Sequence, residues 1–173
     1  HTANRRQRQM CIRDSSGKKY SNENQRKYQK IVELPTKRTV DDTTLEWFSR
    51  RGISRETVEF FKIYNDFQSF GEQKEKCICF PYYHNYSVIN VKYRANGKKF
   101  KQIQGAKRSL FNFDNIDKES KEIIFVEGEM DVMAMKEATI DSVSLPDGAP
   151  SDAKFNTEDK RFQALKNHPS LEE

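Results

Sequence analysis

The stretch Lys121 to Asp131, KEIIFVEGEMD, limits the possible folds of this chain more than any other segment. KEIIFV is short, apolar and β-branched, as a buried strand is, and Glu127 stands at its C-terminal end. After Gly128, the run Glu129 to Ala138 predicts a helix with Met130, Met133 and Ala134 turned inward, and Asp141 to Leu145 predicts a second short strand. A strand, helix and strand at this spacing imply a parallel pair with a right-handed crossover.

Carboxylates at the C-terminal end of such a strand lie where open α/β sheets place their ligands. Asp131 follows Glu127 by four residues and falls in the first helical turn, so both acids can face one crevice, and Gly128 permits the close turn between them. Mg²⁺ is a hard cation that takes one or two carboxylates together with substrate phosphates. Two such ions, roughly 4 Å apart, stabilise the attacking and leaving oxygens of a phosphoryl or nucleotidyl transfer. The same two acids also suit a plain strand end and a helix N-terminus, where the macrodipole favours negative charge. What favours a ligand site is the second strand, which ends in VSLPDGAP.

Upstream, Asp42 to Ile63 predicts two short helices. Thr43 with Glu46 forms a capping box, Leu45 and Phe48 share a face, and Arg50, Arg51 and Gly52 end the first helix. Ser54 starts the second, with Ile53 and Val58 as a hydrophobic staple, and the helix continues through Phe61. The pair reads as two packed helices in preference to a groove-reading helix-turn-helix. From Cys77 to Phe113 the pattern alternates with period two and is rich in aromatic and β-branched residues, which predicts two or three antiparallel strands with a turn at Asn96 and Gly97. A further helix is expected around Lys160 to Lys166.

Between Glu75 and Asp114 there is no acidic residue, while Lys76, Lys92, Arg94, Lys98, Lys99, Lys101, Lys107 and Arg108 are basic. Such a stretch, with Tyr82, Tyr83, Tyr86 and Tyr93 interleaved, suits phosphate contacts and base stacking, although at this spacing at least half of the tyrosines should be core. Cys77 and Cys79 share a strand face but lack ligand partners at zinc-site spacing, since His84 and His168 are scattered, so zinc is not expected.

The 173 residues suffice for one domain or two small ones, and with a third of them charged the core must be compact. No apolar run approaches the ~20 residues of a membrane helix, so no membrane partner is expected. Three cysteines without disulfide-framework spacing fit a reducing compartment, and a cytoplasmic address is expected. Arg5 to Ser15, RRQRQMCIRDS, resembles a translated sequencing adapter, so residues 1–15 are expected to be non-native. Without their four arginines and one aspartate the formal net charge falls from +5 to +2, and distribution rather than total charge must support a nucleic-acid partner.

VEGEMD followed by VSLPDGA resembles the Toprim domain of DnaG-type and phage primase-helicases, and the SLPDGA form resembles their Twinkle-like branch. CFPYYHNYSVINVKYR and KFKQIQGAKRSLFN are similar to the subdomain that precedes Toprim in those primases. The resemblance runs from about Asp42 to the C-terminus and implies an α+β protein, in which a helical and antiparallel basic primase subdomain is followed by an incomplete Toprim α/β domain. The expected divisions are a basic linker over 16–40, the N-terminal subdomain of the catalytic core over 41–118 and Toprim over 119–173.

By the same resemblance Glu127 is the general acid-base or metal-linked glutamate, Asp131 the second acidic position and Gly128 the glycine between them. Ser144 and Gly148 match the Toprim loop after the second strand. Lys92, Arg94, Lys98, Lys99, Lys101, Lys107 and Arg108 are expected to meet nucleotide phosphates or template. The implied activity is synthesis of RNA primers on single-stranded DNA from ribonucleoside triphosphates with Mg²⁺ or Mn²⁺, beside a fused or associated replicative helicase. The family's D-x-D pair follows a third Toprim strand and has no match before Glu173, so the metal site at Glu127 is expected to be partial and this stretch alone inactive. Two alternatives remain: a catalytically silent single-strand-binding arm of a Twinkle-like helicase, and another Toprim enzyme, a topoisomerase or nuclease. The basic subdomain placed before Toprim weighs against the latter.

Overall fold

The computed structural model describes residues 32–117, 119–120 and 122–148. The helix expected around Lys160 to Lys166 lies outside them, as do residues 1–15 and His168. Two helices come first, α1 (Asp42–Ser49) and α2 (Arg55–Phe60). An antiparallel sheet follows in the order of the chain, β1 (Tyr64–Phe70), β2 (Gln73–His84), β3 (Ser87–Ala95) and β4 (Lys99–Gln102). The described chain ends in β5 (Ile124–Val126), α3 (Glu129–Glu137) and β6 (Ser142–Ser144), whose two strands pair in parallel. This is the expected α+β arrangement, with the strand-helix-strand unit within three residues of its predicted bounds. Among the described residues no helix is long and apolar enough to cross a membrane.

Local chemistry explains the elements. Asp41, not Thr43, caps α1: its Oδ1 accepts the Thr44 N–H at 2.9 Å and the Thr43 hydroxyl at 2.6 Å. A carboxylate two residues earlier outcompetes the hydroxyl because it is charged and accepts both donors. Ser54 caps α2 as expected, with Ile53 and Val58 buried beneath it. Glu137, the last residue of α3, accepts the Ser54 N–H at 2.7 Å and its hydroxyl at 2.8 Å, which ties the far end of α3 to the start of α2.

β1 was not foreseen, because YNDFQSF is mostly polar; it is an edge strand with one side against the core. Its hairpin to β2 turns at Gly71, where φ is +64° and a side chain would be strained. β2 and β3 turn at Asn85 and Tyr86, both at positive φ, the backbone of a tight primed hairpin turn. The expected turn at Asn96 and Gly97 joins β3 to β4. Pro81 sits in β2 beyond the reach of β1, whose pairing stops at Cys79, so its missing N–H costs no ladder bond on that side.

β2 is buried on both faces. Phe80 and Tyr82 point into a core with Phe48, Ile53, Val58, Phe61, Phe111, Val132 and Met133. Phe111 is its hub, stacked on Phe61 at 5.3 Å and edge-on to Tyr82 at 5.3 Å and Phe80 at 6.3 Å. In α3 it is Val132, rather than Ala134, that joins Met133 inside; Ala134 is exposed and Met130 half-buried. Cys77 and Cys79 face the other side with Tyr64, Val91, Tyr93 and Ala95, where Val32 and Leu34 pack. The described end of the expected linker therefore covers a sheet face.

Candidate acidic strand end and cationic sheet

β5 delivers Glu127 to an exposed position at its C-terminal end, and α3 begins two residues later. Asp131 is also exposed, but its carboxylate is engaged: Oδ2 accepts the Gly128 N–H at 3.0 Å, while the Asp131 N–H donates to the Gly128 carbonyl at 3.1 Å. Asp131 thus closes the first turn of α3 as a reciprocal cap. Gly128 does not supply the conformational freedom expected of it, since its backbone is extended (φ −152°, ψ 179°) and a Cβ there would meet only Asp131 Oδ2, at 3.8 Å.

The turn after β6 lies against the turn after β5. A Cβ at Gly148 would stand 3.8 Å from the Glu127 carbonyl oxygen, and Gly148 has φ +70°, where glycine is favoured. Ser144 is not in that loop: it is the last residue of β6, fully buried, and its carbonyl accepts the Phe111 N–H at 3.0 Å. The hydroxyls of Ser142 and Ser144 are buried with no hydrogen-bond partner among the described residues. No group of three or more His, Cys, Asp or Glu side chains able to hold a metal occurs among the described residues. The donors present, Glu127 and Asp131, are all oxygen and suit a hard cation shared with substrate phosphates.

The cationic sheet is narrower than its sequence suggests. Lys92, on β3, is not free for a phosphate: its ammonium contacts both carboxylate oxygens of Glu129, at 2.8 and 2.9 Å, and donates to the Pro146 carbonyl at 2.9 Å. Lys99 pairs with Glu75 at 2.6 Å, Arg108 with Asp147, and Lys76 with Asp41. Among the described residues Arg94, Lys98, Lys101 and Lys107 have no acidic partner within ion-pair distance. Lys101 donates to the Ser69 carbonyl at 3.0 Å and lies over the rings of Phe70 and Tyr93.

Arg94 is half-buried, its guanidinium 5.0 Å from the Trp47 ring centre and 5.2 Å from that of Phe100. Arg51 stacks on the same Trp47 ring at 3.7 Å. Burial, and then the neighbouring Arg51 charge, push the Arg94 pKa down, while Glu129 pushes it up. Trp47, on α1, and Arg51, just after it, therefore border Arg94, though in the sequence Arg51 reads only as a helix end and Trp47 carries no assigned role. Of the tyrosines, Tyr82 and Tyr93 are core, Tyr83 is half-buried and Tyr86 is 91% exposed.

No protein-family model matches the chain. Over 123 residues it is 38% identical to the Twinkle homolog protein, chloroplastic/mitochondrial, of Arabidopsis thaliana, which covers 69% of this chain and 17% of that protein. Over 110 residues it is 38% identical to the primase homolog protein of the same plant, covering 63% of this chain and 31% of the relative. The chain spans less than a third of the length of either relative. The primase fragment of the bacteriophage T7 primase-helicase protein aligns with 77% of this chain and 57% of its own, at 22% identity and a TM-score of 0.48. This chain carries a primase/Twinkle-like core, alike in sequence to the Twinkle and primase homologs.

Proposed function

We propose that the protein carrying this core is a DNA primase, which joins ribonucleotides on a single-stranded DNA template and works beside a replicative helicase. The observation that supports this reading best is the contact between two turns at one sheet end: the Glu127 turn after β5 and the Gly148 turn after β6, next to the sheet face that carries Lys92 and Arg94. β5, α3 and β6 would form the part of a Toprim domain contained in the described chain.

In this reading Glu127 and Asp131 would hold Mg²⁺ or Mn²⁺. The ion would supply neutralisation of charge on the attacking oxygen and the leaving pyrophosphate. The residues do the rest. Glu127, whose carboxylate serves no cap, would be shared with that ion, since its like charge keeps it from meeting the triphosphate directly. Arg94, with Arg51 on the same Trp47 ring, takes template or triphosphate oxygens, and Phe100, 47% exposed, offers a ring to an unpaired base.

The test is ribonucleotide incorporation by the full-length protein on single-stranded DNA with Mg²⁺. Glu127→Gln should lower it by about 10²-fold or more, the scale of losing one preorganised electrostatic group, and leave single-strand affinity unchanged. Undiminished synthesis by Glu127→Gln would remove the assignment. Tight single-strand binding with no synthesis by the wild type would replace it with the silent binding arm.

A further inference from the structure

Every donor of the Lys92 ammonium is spoken for. A lysine has three N–H groups and no acceptor, and these three meet Glu129 Oε1 at 2.8 Å, Glu129 Oε2 at 2.9 Å and the Pro146 carbonyl at 2.9 Å. Glu129 Oε1 also accepts the hydroxyl of Tyr82, a completely buried residue. The side chains of Lys92 and Glu129 are 13% and 7% exposed, so the pair is largely withdrawn from water.

Four parts of the chain meet in this cluster. Tyr82 comes from β2 and Lys92 from β3, Glu129 is the first residue of α3, and Pro146 belongs to the turn after β6. Gln102 of β4 strengthens the last link, donating to the Pro146 carbonyl at 3.2 Å and to Asp147 at 2.8 Å. Glu129 is separated from Glu127 by Gly128 alone, and the Gly148 backbone abuts the Glu127 carbonyl. Glu129 and Pro146 therefore each lie two residues from a group that bounds the Glu127 turn.

We propose that Lys92 and Glu129 form a buried clamp that positions the Glu127 turn and the Leu145–Gly148 turn against the antiparallel sheet, so that Lys92 is a positioning residue and not a phosphate contact. A well-packed apolar pair could supply equal or greater stability at such a site. Directional bonds from one ammonium to two separate turns supply a fixed geometry, which apolar contact does not. The clamp stands independently of the primase reading; only the use made of the positioned Glu127 rests on it.

The experiment compares the full 173-residue chain with Lys92→Met, Glu129→Gln and the double variant. Amide hydrogen exchange is read in residues 127–131 and at 145, 147 and 148 against that in β1 and β2, alongside the urea midpoint. Each single variant should lower the midpoint and speed exchange in both turns by about tenfold or more relative to the sheet. The double variant, free of an unpaired buried charge, should recover the midpoint while the turns stay fast. Turns that regain wild-type exchange in the double variant, or that never change in the singles, overturn the clamp. A second readout is the salt dependence of oligo-dT binding. Lys92→Met should leave the slope unchanged; a slope smaller by about 0.7, one phosphate on a single strand, would make Lys92 a phosphate contact instead. A wild-type chain that fails to bind oligo-dT counts against the primase reading and leaves the exchange result standing.

Discussion

Replacing Phe111 by Ala should be the most damaging single truncation in the described core. Phe111 is 1% exposed and touches Phe61 of the α2 C-cap and Phe80 and Tyr82 of β2, while its backbone bonds to Ser144 at the end of β6. A phenylalanine buries about 200 Å², worth about 5 kcal/mol at about 25 cal/mol per Å², an upper bound because unfolded chains already hide some of that surface. Alanine keeps only its methyl group, and the aromatic pairs add about 0.5–1.5 kcal/mol each beyond area. Measured Phe→Ala losses of about 3–5 kcal/mol bracket the outcome, and we expect about 4 kcal/mol here. That is a large share of the roughly 5–15 kcal/mol that holds a domain folded.

The assay is urea unfolding of the chain, followed by fluorescence of Trp47, its single tryptophan, and by far-ultraviolet circular dichroism. Phe111→Leu, which keeps most of the volume, should cost about 1.5 kcal/mol or less. A Phe111→Ala loss below about 1.5 kcal/mol, or equal losses for the two variants, would mean that the sheet and the strand-helix-strand unit do not share a core through this residue.

Two further outcomes follow from buried or bonded titratable groups. Burial raises the Asp41 pKa, but hydrogen bonds from the Lys76 and Thr43 side chains and the Thr44 N–H outweigh it and hold the carboxyl well below the usual range. A depressed folded pKa gives stability that is present above the unfolded value of about 3.9 and is lost as pH falls through the folded one. The wild-type urea midpoint should therefore drop more steeply below about pH 5 than that of Asp41→Asn, and parallel acid limbs would contradict the cap. Burial pushes the Cys77 and Cys79 thiols up. In a Cys11→Ser chain neither should react with Ellman's reagent until denaturant is added, and prompt native-state labelling would refute their burial.

The parallel unit was legible because a strand of β-branched residues, a glycine and a helix follow one another with no competing pattern between Ile123 and Ser144. β1 was not legible, since half-burial at a sheet edge leaves no alternation in YNDFQSF to read. The inward face of α3 was misjudged at one position for a similar reason. Ala134 and Val132 both suit a helix, and only packing against Phe111 and the α2 core decides which of them is covered. The cap of α1 depended on which of two nearby oxygen acceptors, Asp41 or Thr43, the Thr44 N–H reached, and periodicity is blind to that.

The candidate site shows the same limit in electrostatic form. A run of 38 residues from 76 to 113 without an acid reads as a cationic surface, yet charge neutralisation happens in space. Asp41, Glu75, Glu129 and Asp147 all lie outside that run and fold back onto Lys76, Lys99, Lys92 and Arg108. The count of positive residues therefore overstates what a phosphate can reach. The cations left without an acid are fewer, and the best placed, Arg94, gains a neighbour that no window on the strands could reveal: Arg51, brought onto the same Trp47 ring by the packing of α1 on the sheet. Two guanidiniums on one indole, with no acid bonded to either among the described residues, repel each other, and an anion near both would relieve that repulsion. A phosphate-bearing strand would thus be drawn to the α1 side of the sheet, while Lys92, its three donors spent, serves the geometry of the turn that carries Glu127.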